Sequence, residues 1–355
     1  MPKFNHVVIV SDNIRGHYHQ SLGIARWIER LQPNVEVDED ILKLEKLSTI
    51  EKIKLKFSAK KLPSKDKNYA LEWLKNLGIS IKRYKPETLF ISAGSSAAPF
   101  CLALARATDN KCAVVMTPSI LGTKPFDYAI VPEHDKHNLK DKNLITTLGA
   151  PNHIYNPEIK TASENFFGKK DFQHKVVALL LGGSDANYNP NAQWAADVLG
   201  PLRYFEGITV LITTSRRTSQ ALENEVRKMF ENNPSTGYFL VLSENPKVNA
   251  VTAMLGAATH VLVTEDSVSM VSEAATAGFK VGLMRVPRTE GDSLKRKFGK
   301  GTKRFDEMFE KMKDKGLIED LGEVPDFYKF LEPHQQKHNK DFNEAKRAAE
   351  WILNS

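Results

Sequence analysis

Val176-Val177-Ala178-Leu179-Leu180-Leu181-Gly182-Gly183-Ser184 is an apolar run without polar alternation that ends in two glycines and a serine. Such a run is buried on both faces, as a central strand of a parallel sheet is, and the glycines mark the turn that leaves it. The following sequence keeps the theme. Helical spacing over residues 192–199 and 221–230 alternates with short apolar runs at 208–213 and 238–242. A further run at 260–264 leads into an Ala-rich helix over 270–277 and a strand at 281–284. Alternation of this kind predicts an open α/β domain with helices on both faces of a mostly parallel sheet.

The N-terminal half reads the same way. A strand at 7–10 is followed by a polar loop and a helix with Leu22, Ala25, Ile28 and Leu31 on one face. Strands are expected at 89–92, 113–116, 128–131 and 144–147, with a helix over 100–107. The chain of 355 residues exceeds what one core usually organises, so two domains are expected. Pro, Asn and Gly residues between 152 and 170 interrupt the pattern and are read as the junction. The expected division is an N-terminal Rossmann-like domain over 1–155, a linker over 156–172 and a second Rossmann-like domain over 173–335. The tail, 336–355, carries a final helix over 343–353 that crosses back to the first domain.

Apolar residues make up 41% of the chain and charged residues 26%, an ordinary globular balance. Cys101 and Cys112 lie in apolar segments and suit reduced core thiols, so no disulfide framework is expected. The apolar start has no small-residue cleavage site behind it, and no run is long enough to cross a membrane, which together predict a cytoplasmic protein. The net charge of +7 is concentrated at 52–67 and 295–304. The first segment alternates basic and apolar residues, a pattern compatible with peripheral contact to the inner face of an acidic membrane or with a phosphorylated substrate, and before either with a solvated edge or loop. Aromatic residues are not interleaved with the basic ones, so nucleic acid is not an expected partner.

In open sheets ligands bind beyond the carboxyl ends of the strands. Gly182, Gly183 and Ser184 lie there and are read as a helix entry whose free amides attract an anion. In Thr264-Glu265-Asp266-Ser267-Val268-Ser269-Met270-Val271-Ser272-Glu273, one serine would suffice as a helix cap. The surplus of hydroxyls at Thr264, Ser267 and Ser269, with Asp266 in the same turn, suits a diphosphate, and Glu273 is placed to accept from ribose hydroxyls; Met270 joins this set only through the resemblance described below. Ser215, Arg216 and Arg217 end another strand, where paired arginines can clamp phosphate oxygens. Each loop also has a structural reading as turn, cap or surface. Together they make a nucleoside diphosphate the economical ligand. The sequence lacks a G-x-x-x-x-G-K-[ST] motif, and Gly299-Lys300-Gly301 lacks the context of a dinucleotide fingerprint.

The first strand ends in Asp12, Gly16, His17 and His19, and Asp12 and His17 are both candidate general bases for a hydroxyl acceptor. Gly94 and Ser95 form a small-residue turn and Glu133 and His134 an ionisable one at comparable strand ends, which completes an acceptor-side set of Gly16, His19, Gly94, Ser95, Glu133 and His134. His17, His19, His134 and His137 lack a recognised ligand spacing, so no metal is expected. Asp38-Glu39-Asp40 looks like the metal-binding acidic triplet of one class of sugar-transferring enzyme but is expected to face solvent.

These motifs, in order along most of the chain, resemble the elongated-mitochondria (mitochondrial fission) family and its bacterial relatives. They are Asp12 with Arg15-Gly16-His17 and Gln20-Ser21-Leu22-Gly23, Phe126-Asp127 with Val131-Pro132-Glu133-His134-Asp135, Gly182-Gly183, Thr214-Ser215-Arg216-Arg217-Thr218, and the 264–274 segment. A more distant similarity is to the glycosyltransferase that adds N-acetylglucosamine to lipid I, through Gly16-His17, Gly94 to Pro99, Gly182-Gly183-Ser184 and Glu273. In its second loop serine and alanine replace glycines, and the glutamine after its donor loop is missing. The resemblance implies two Rossmann-like domains facing across a cleft (the GT-B architecture) and an inverting, metal-independent transfer needing no cofactor beyond a nucleoside-diphosphate sugar, a UDP-sugar first among them. It also implies a hydroxyl acceptor, with a lipid-linked glycan of the cell envelope among the candidates. A non-catalytic adaptor on the same fold, as the plant relatives imply, and a nucleotide-sugar epimerase are the rival expectations.

Overall fold

The computed structural model describes residues 3–41, 49–64, 66–81, 84–135, 141–168, 170, 172, 175–289, 301–333 and 341–355. It divides into two compact units, Met1–His153 with Asn343–Ser355, and Ile154–Phe342. His137 and residues 295–300, singled out above, lie outside the described residues.

The first unit runs β1 (His6–Ser11), α1 (Arg15–Leu31), β2 (Glu36–Ile41), α2 (Thr49–Ala59), α3 (Lys67–Asn76), β3 (Thr88–Ala93), α4 (Gly94–Thr108), β4 (Lys111–Val115), β5 (Tyr128–Pro132) and β6 (Leu144–Thr147). Its six-stranded sheet has the order β2-β1-β3-β4-β5-β6, all parallel. Every residue of β1 is buried, and the two-residue period of a strand sends alternate side chains to opposite faces. Val8 and Val10 join Phe90, Trp73, Phe100 and Leu102 on the α3–α4 side. Val7 and Ile9 join Ile24 and Ile28 of α1 on the other. Asp38, Glu39 and Asp40, expected as a solvated acidic stretch, form part of β2, an edge strand, where His6 Nε2 meets Asp38 Oδ2 at 2.9 Å.

The second unit runs α5 (Asn156–Phe167), β7 (Lys175–Leu180), α6 (Ala192–Leu199), β8 (Ile208–Thr213), α7 (Gln220–Phe230), β9 (Thr236–Leu240), α8 (Val251–Ala257), β10 (His260–Thr264), α9 (Val268–Thr276), β11 (Val281–Met284), α10 (Lys303–Asp314), β12 (Ile318–Asp320) and α11 (Phe327–Leu331). Its parallel sheet is ordered β12-β11-β10-β7-β8-β9. Val177 and Leu179 of β7 and Val210 and Ile212 of β8 meet Trp194, Leu222 and Phe230 from α6 and α7.

Most of the expected linker 156–172 is helix, and this is a correction. Pro157 stands in the first turn of α5, where its missing N–H is one that no helix bond needs. Ile159, Ser163 and Phe167 of α5 are buried, and α5 packs along α8 inside the second unit. Punctuation read as a break is therefore a helix start. The last helix, α12 (Glu344–Asn354), belongs to the first unit and lies on α1. Asn343 caps it by accepting from Lys346 N at 2.8 Å, and Ala345, Ala348, Ala349 and Ile352 form its buried stripe. A buried side chain the size of isoleucine contributes about 2 kcal/mol, so packing rather than helix propensity holds α12. Both cysteines are buried and unpaired. Among the described residues no helix is long and apolar enough to cross a membrane.

Candidate functional site

A parallel sheet whose strand order reverses has a crevice at the reversal, and ligands of such folds bind there, beyond the carboxyl ends. In the first unit the order reverses between β1 and β3, and in the second between β7 and β10. Asp12 to His19 and Gly94-Ser95 follow β1 and β3, and Gly182 to Ser184 and Asp266 to Met270 follow β7 and β10, whereas Glu133-His134 follow β5 and Ser215 to Arg217 follow β8.

In the first unit Asp12 and His17 form a pair: Asp12 Oδ2 lies 3.0 Å from His17 Nδ1, and the Asp12 side chain is only 2% exposed against 24% for His17. Asp12 also accepts from Ile14 N at 3.2 Å. A carboxylate held in this way fixes the tautomer: Nδ1 carries the proton and donates to Asp12, and Nε2 presents its lone pair. Gly94 opens α4 at φ 76°, and a Cβ there would collide with the His17 ring. Glycine is thus required twice over, by its dihedral and by the imidazole that lies against it. Gly16 lies in the first turn of α1. Ser95 accepts from Ser119 N at 3.0 Å, and Asp135 accepts from Thr117 N at 2.6 Å. The loops after β1 and β3 thus touch, as do those after β3 and β4 and those after β4 and β5. Glu133 and His134 stand half-buried in the turn after β5. The His19 ring lies against that of His153, centroids 4.1 Å apart and planes inclined at 51°.

In the second unit three loops far apart in sequence are bonded into one cluster. Gly182 N donates to Thr264 Oγ1 at 2.8 Å and Gly183 N to Asp266 Oδ2 at 2.7 Å. Arg217 donates to Gly183 O at 2.9 Å and to Asp266 Oδ2 at 3.0 Å, and Ser184 N donates to Arg217 O at 3.2 Å. Ser215 Oγ accepts from Arg217 N and pairs with Thr218 Oγ1, which donates to Gly182 O. A Cβ on Gly183 would strike the Arg217 backbone, so the loops approach more closely than any other residue allows. Burial pushes the Asp266 carboxyl above its ordinary range, and Arg217 and the Gly183 amide oppose that only in part. Arg217 is itself 40% exposed, so water weakens its pull.

This corrects the expectation for several residues. The amides of Gly182 and Gly183 are not free for a phosphate, because both are buried and buried donors are paired; Thr264 and Asp266 take them. Nor do these glycines open a helix: α6 begins at Ala192, capped by Asn191. Arg217 is committed to protein carbonyls and Asp266. The groups that remain turned outward are Arg216, which is exposed and has no hydrogen bond or ion pair among the described residues, and the start of α9 at Val268, Ser269 and Met270, half-buried. Ser267 stands at the N-cap without a capping side-chain bond, so among the described residues its side chain leaves the first amides of α9 uncapped. Glu273 lies further along α9, 7% exposed.

The family model described as Mitochondrial fission ELM1 matches residues 15–355. The chain belongs to the mitochondrial fission ELM1 family. An uncharacterised protein of Rickettsia prowazekii (strain Madrid E), RP120, is 23% identical over 97% of this chain and 96% of its own length. Among solved structures, the glycotransferase of kitacinnamycin aligns over 100% of this chain and 99% of that one at 14% identity, with a TM-score of 0.52. The UDP-GlcNAc 2-epimerase of Methanocaldococcus jannaschii aligns over 99% of both chains at 11% identity, with a TM-score of 0.51. At such identities the likeness concerns the fold, which is the two-unit Rossmann-like α/β architecture of GT-B glycosyltransferases.

Further residues support the loops of this ELM1-family chain and were not singled out from its sequence. Glu265, 1% exposed, accepts from Val286 N at 3.0 Å and from Arg285 Nη1 at 2.7 Å. Arg285 also bonds Asp320 and Asp306. Burial disfavours the charged Arg285, yet its bonds to Asp320 and Glu265 prevail and hold its pKa above the usual value. Glu223, buried in α7, accepts from Thr214 and Ser243. Only a carboxylate beside each recognised motif, such as Glu265 before Asp266, hinted at these in the sequence.

Proposed function

We propose that this chain is a glycosyltransferase that moves a sugar from a nucleoside diphosphate, a UDP-sugar in the first instance, to an acceptor hydroxyl. The observation that carries the proposal is the Asp12–His17 pair at the first unit's topological reversal. His17 Nε2 takes the acceptor proton while Asp12 holds Nδ1–H and stabilises the imidazolium that forms. The acceptor oxygen bonds to the anomeric carbon as the bond from that carbon to the diphosphate oxygen breaks, and the diphosphate leaves with the electron pair. A single displacement of this kind inverts the anomeric centre. The second unit supplies the counter-charge through the amides at the start of α9 and through Arg216, with Glu273 assigned to the ribose. No metal is assigned a role. Two glycosyltransferase-fold neighbours, one named a glycotransferase and one an enzyme of UDP-GlcNAc, support the donor class.

The test is calorimetric titration of wild type and Glu273→Ala with UDP and GDP, followed by product analysis of UDP-sugars with and without hydroxyl acceptors. Wild type is expected to bind UDP and to release it from the donor only when an acceptor is present. Isomerised donor without acceptor would identify an epimerase. Binding of neither diphosphate would remove the basis for any nucleotide-sugar enzyme.

A further inference from the structure

The chain leaves β2 at the carboxyl edge of the first sheet and, after residues 42–48, enters α2. One side of α2 is fixed to the unit. Ala59 is fully buried, Leu55 packs against the same core, and Ser58 Oγ accepts from Trp73 Nε1 at 2.9 Å. Leu62, just beyond, is 1% exposed. The opposite side is apolar as well: Ile53 and Phe57, one turn apart and so on one face, are 49% and 63% exposed. A solvated helix face needs no apolar residues. A phenylalanine turned to water beside an isoleucine is a contact face without its contact.

Its surroundings state the partner's charge. Lys54, Lys60 and Lys61 are exposed around the pair, and none has an ion-pair partner among the described residues. The stretch 52–67 holds lysines at 52, 54, 56, 60, 61, 65 and 67 against one acid, Asp66, which caps α3 by accepting from Tyr69 N. Two insertable apolar side chains ringed by unpaired lysines complement a surface that is apolar just beneath a layer of negative charge. An anionic bilayer has that profile, with headgroup phosphates for the ammonium groups and acyl chains for the rings. A second copy of this chain would bring a second set of lysines to the same face, and a nucleic acid would leave Ile53 and Phe57 uncovered.

We infer that α2 docks the first unit on an anionic lipid surface, with Phe57 and Ile53 inserted between headgroups and Lys54, Lys60 and Lys61 at the phosphates. The inference is independent of glycosyl transfer, since its test needs neither nucleotide nor acceptor. The full chain is sedimented with vesicles of phosphatidylcholine alone and with vesicles containing phosphatidylglycerol, at low and physiological salt. Wild type is expected to pellet only with the anionic vesicles and to be released by salt. Phe57→Ser should weaken that binding by tenfold or more, and K54Q with K60Q and K61Q should abolish it. Because Phe57 is exposed, Phe57→Trp should fold as wild type, and its emission should shift to the blue and be quenched by brominated lipid when vesicles are added. Equal binding by wild type and Phe57→Ser, or a Phe57→Trp spectrum unmoved by vesicles, would overturn the inference. So would failure of wild type to pellet at low salt; concentration-dependent dimers lost in Phe57→Ser would then assign the face to a second copy.

Discussion

At the carboxyl edge of the first sheet, His17 keeps Nε2 without a partner among the described residues, held in place by Asp12 behind it and Gly94 beside it. At the carboxyl edge of the second, Gly182, Gly183, Thr264, Asp266 and Arg217 satisfy one another. One edge leaves a ring nitrogen open and the other closes on itself. Under the proposed function, two Rossmann-like sheets with the same kind of reversal divide the work. Substitutions at the first edge should change rate, and substitutions within the bonded cluster of the second should first change stability.

The largest effect is expected at His17. If it is the base, His17→Ala lowers kcat by about 10²–10⁴, and because the Asp12 carboxylate, 2% exposed, loses its imidazole partner, the melting temperature should fall as well, by far less than the rate. Asp12→Asn should leave donor binding intact and move the pH profile of kcat/KM, the mark of a positioning residue. Gly94→Ala should approach the His17→Ala rate with every ionisable residue retained, because the added methyl displaces the His17 ring. A Gly94→Ala enzyme of normal rate would show that the ring's seat is irrelevant and end the contrast at its first side.

Next comes Arg285. Replacing it by methionine strips Asp320 of its arginine and Glu265 of its nearer one, while Arg288 still meets Glu265 and Asp306, and uncovering one member of a buried ion pair costs about 3–5 kcal/mol. Denaturant unfolding should record a loss of that order. A change under 1 kcal/mol would show that the loops of the second unit stand without the network.

The adjacent arginines give a smaller, sharper comparison. Arg217→Ala removes the partner of buried Asp266 and should cost about 1–3 kcal/mol of stability. Arg216→Ala should leave the melting temperature alone and weaken UDP binding by roughly tenfold, the scale of one charge-assisted hydrogen bond. The reverse assignment of these two outcomes would mean that the free cation of this edge has been misidentified.

Much of the fold was legible in the sequence where strands are buried on both faces. The runs at 208–213, 260–264 and 281–284 coincide with β8, β10 and β11, because no polar alternation competes with the signal. Edge strand β2 was hidden. Its sequence Glu-Val-Asp-Glu-Asp-Ile is poor in strand formers, and only an edge tolerates it. Helix α5 was hidden because Pro157 signals a break and a helix start equally well. At the sites, residue types were readable and commitments were not. Thr264 lies 82 residues from Gly182, and no local pattern reports that the one has taken the other's amide. The order of Asp12 and His17 likewise needed burial, which puts the carboxylate, 2% exposed, behind the imidazole and is why His17 is the proposed base.

The smallest effect tests whether the network of the second unit acts through charge. Burial tends to raise the Asp320 carboxyl, but its bonds to Arg285 and to the Gly322 amide outweigh that and hold it below the ordinary value. A carboxylate with a depressed folded pKa stabilises the native state at pH above its unfolded value, near 4, and that contribution is lost as pH falls through the folded value. Stability measured from pH 6 downward should therefore decline below about pH 4. In Asp320→Asn the starting stability should be lower and the decline shallower, since the titrating group is gone and asparagine cannot recover the charge. Parallel declines in the two proteins would place the acid sensitivity elsewhere and leave Asp320 as a hydrogen-bonding residue alone.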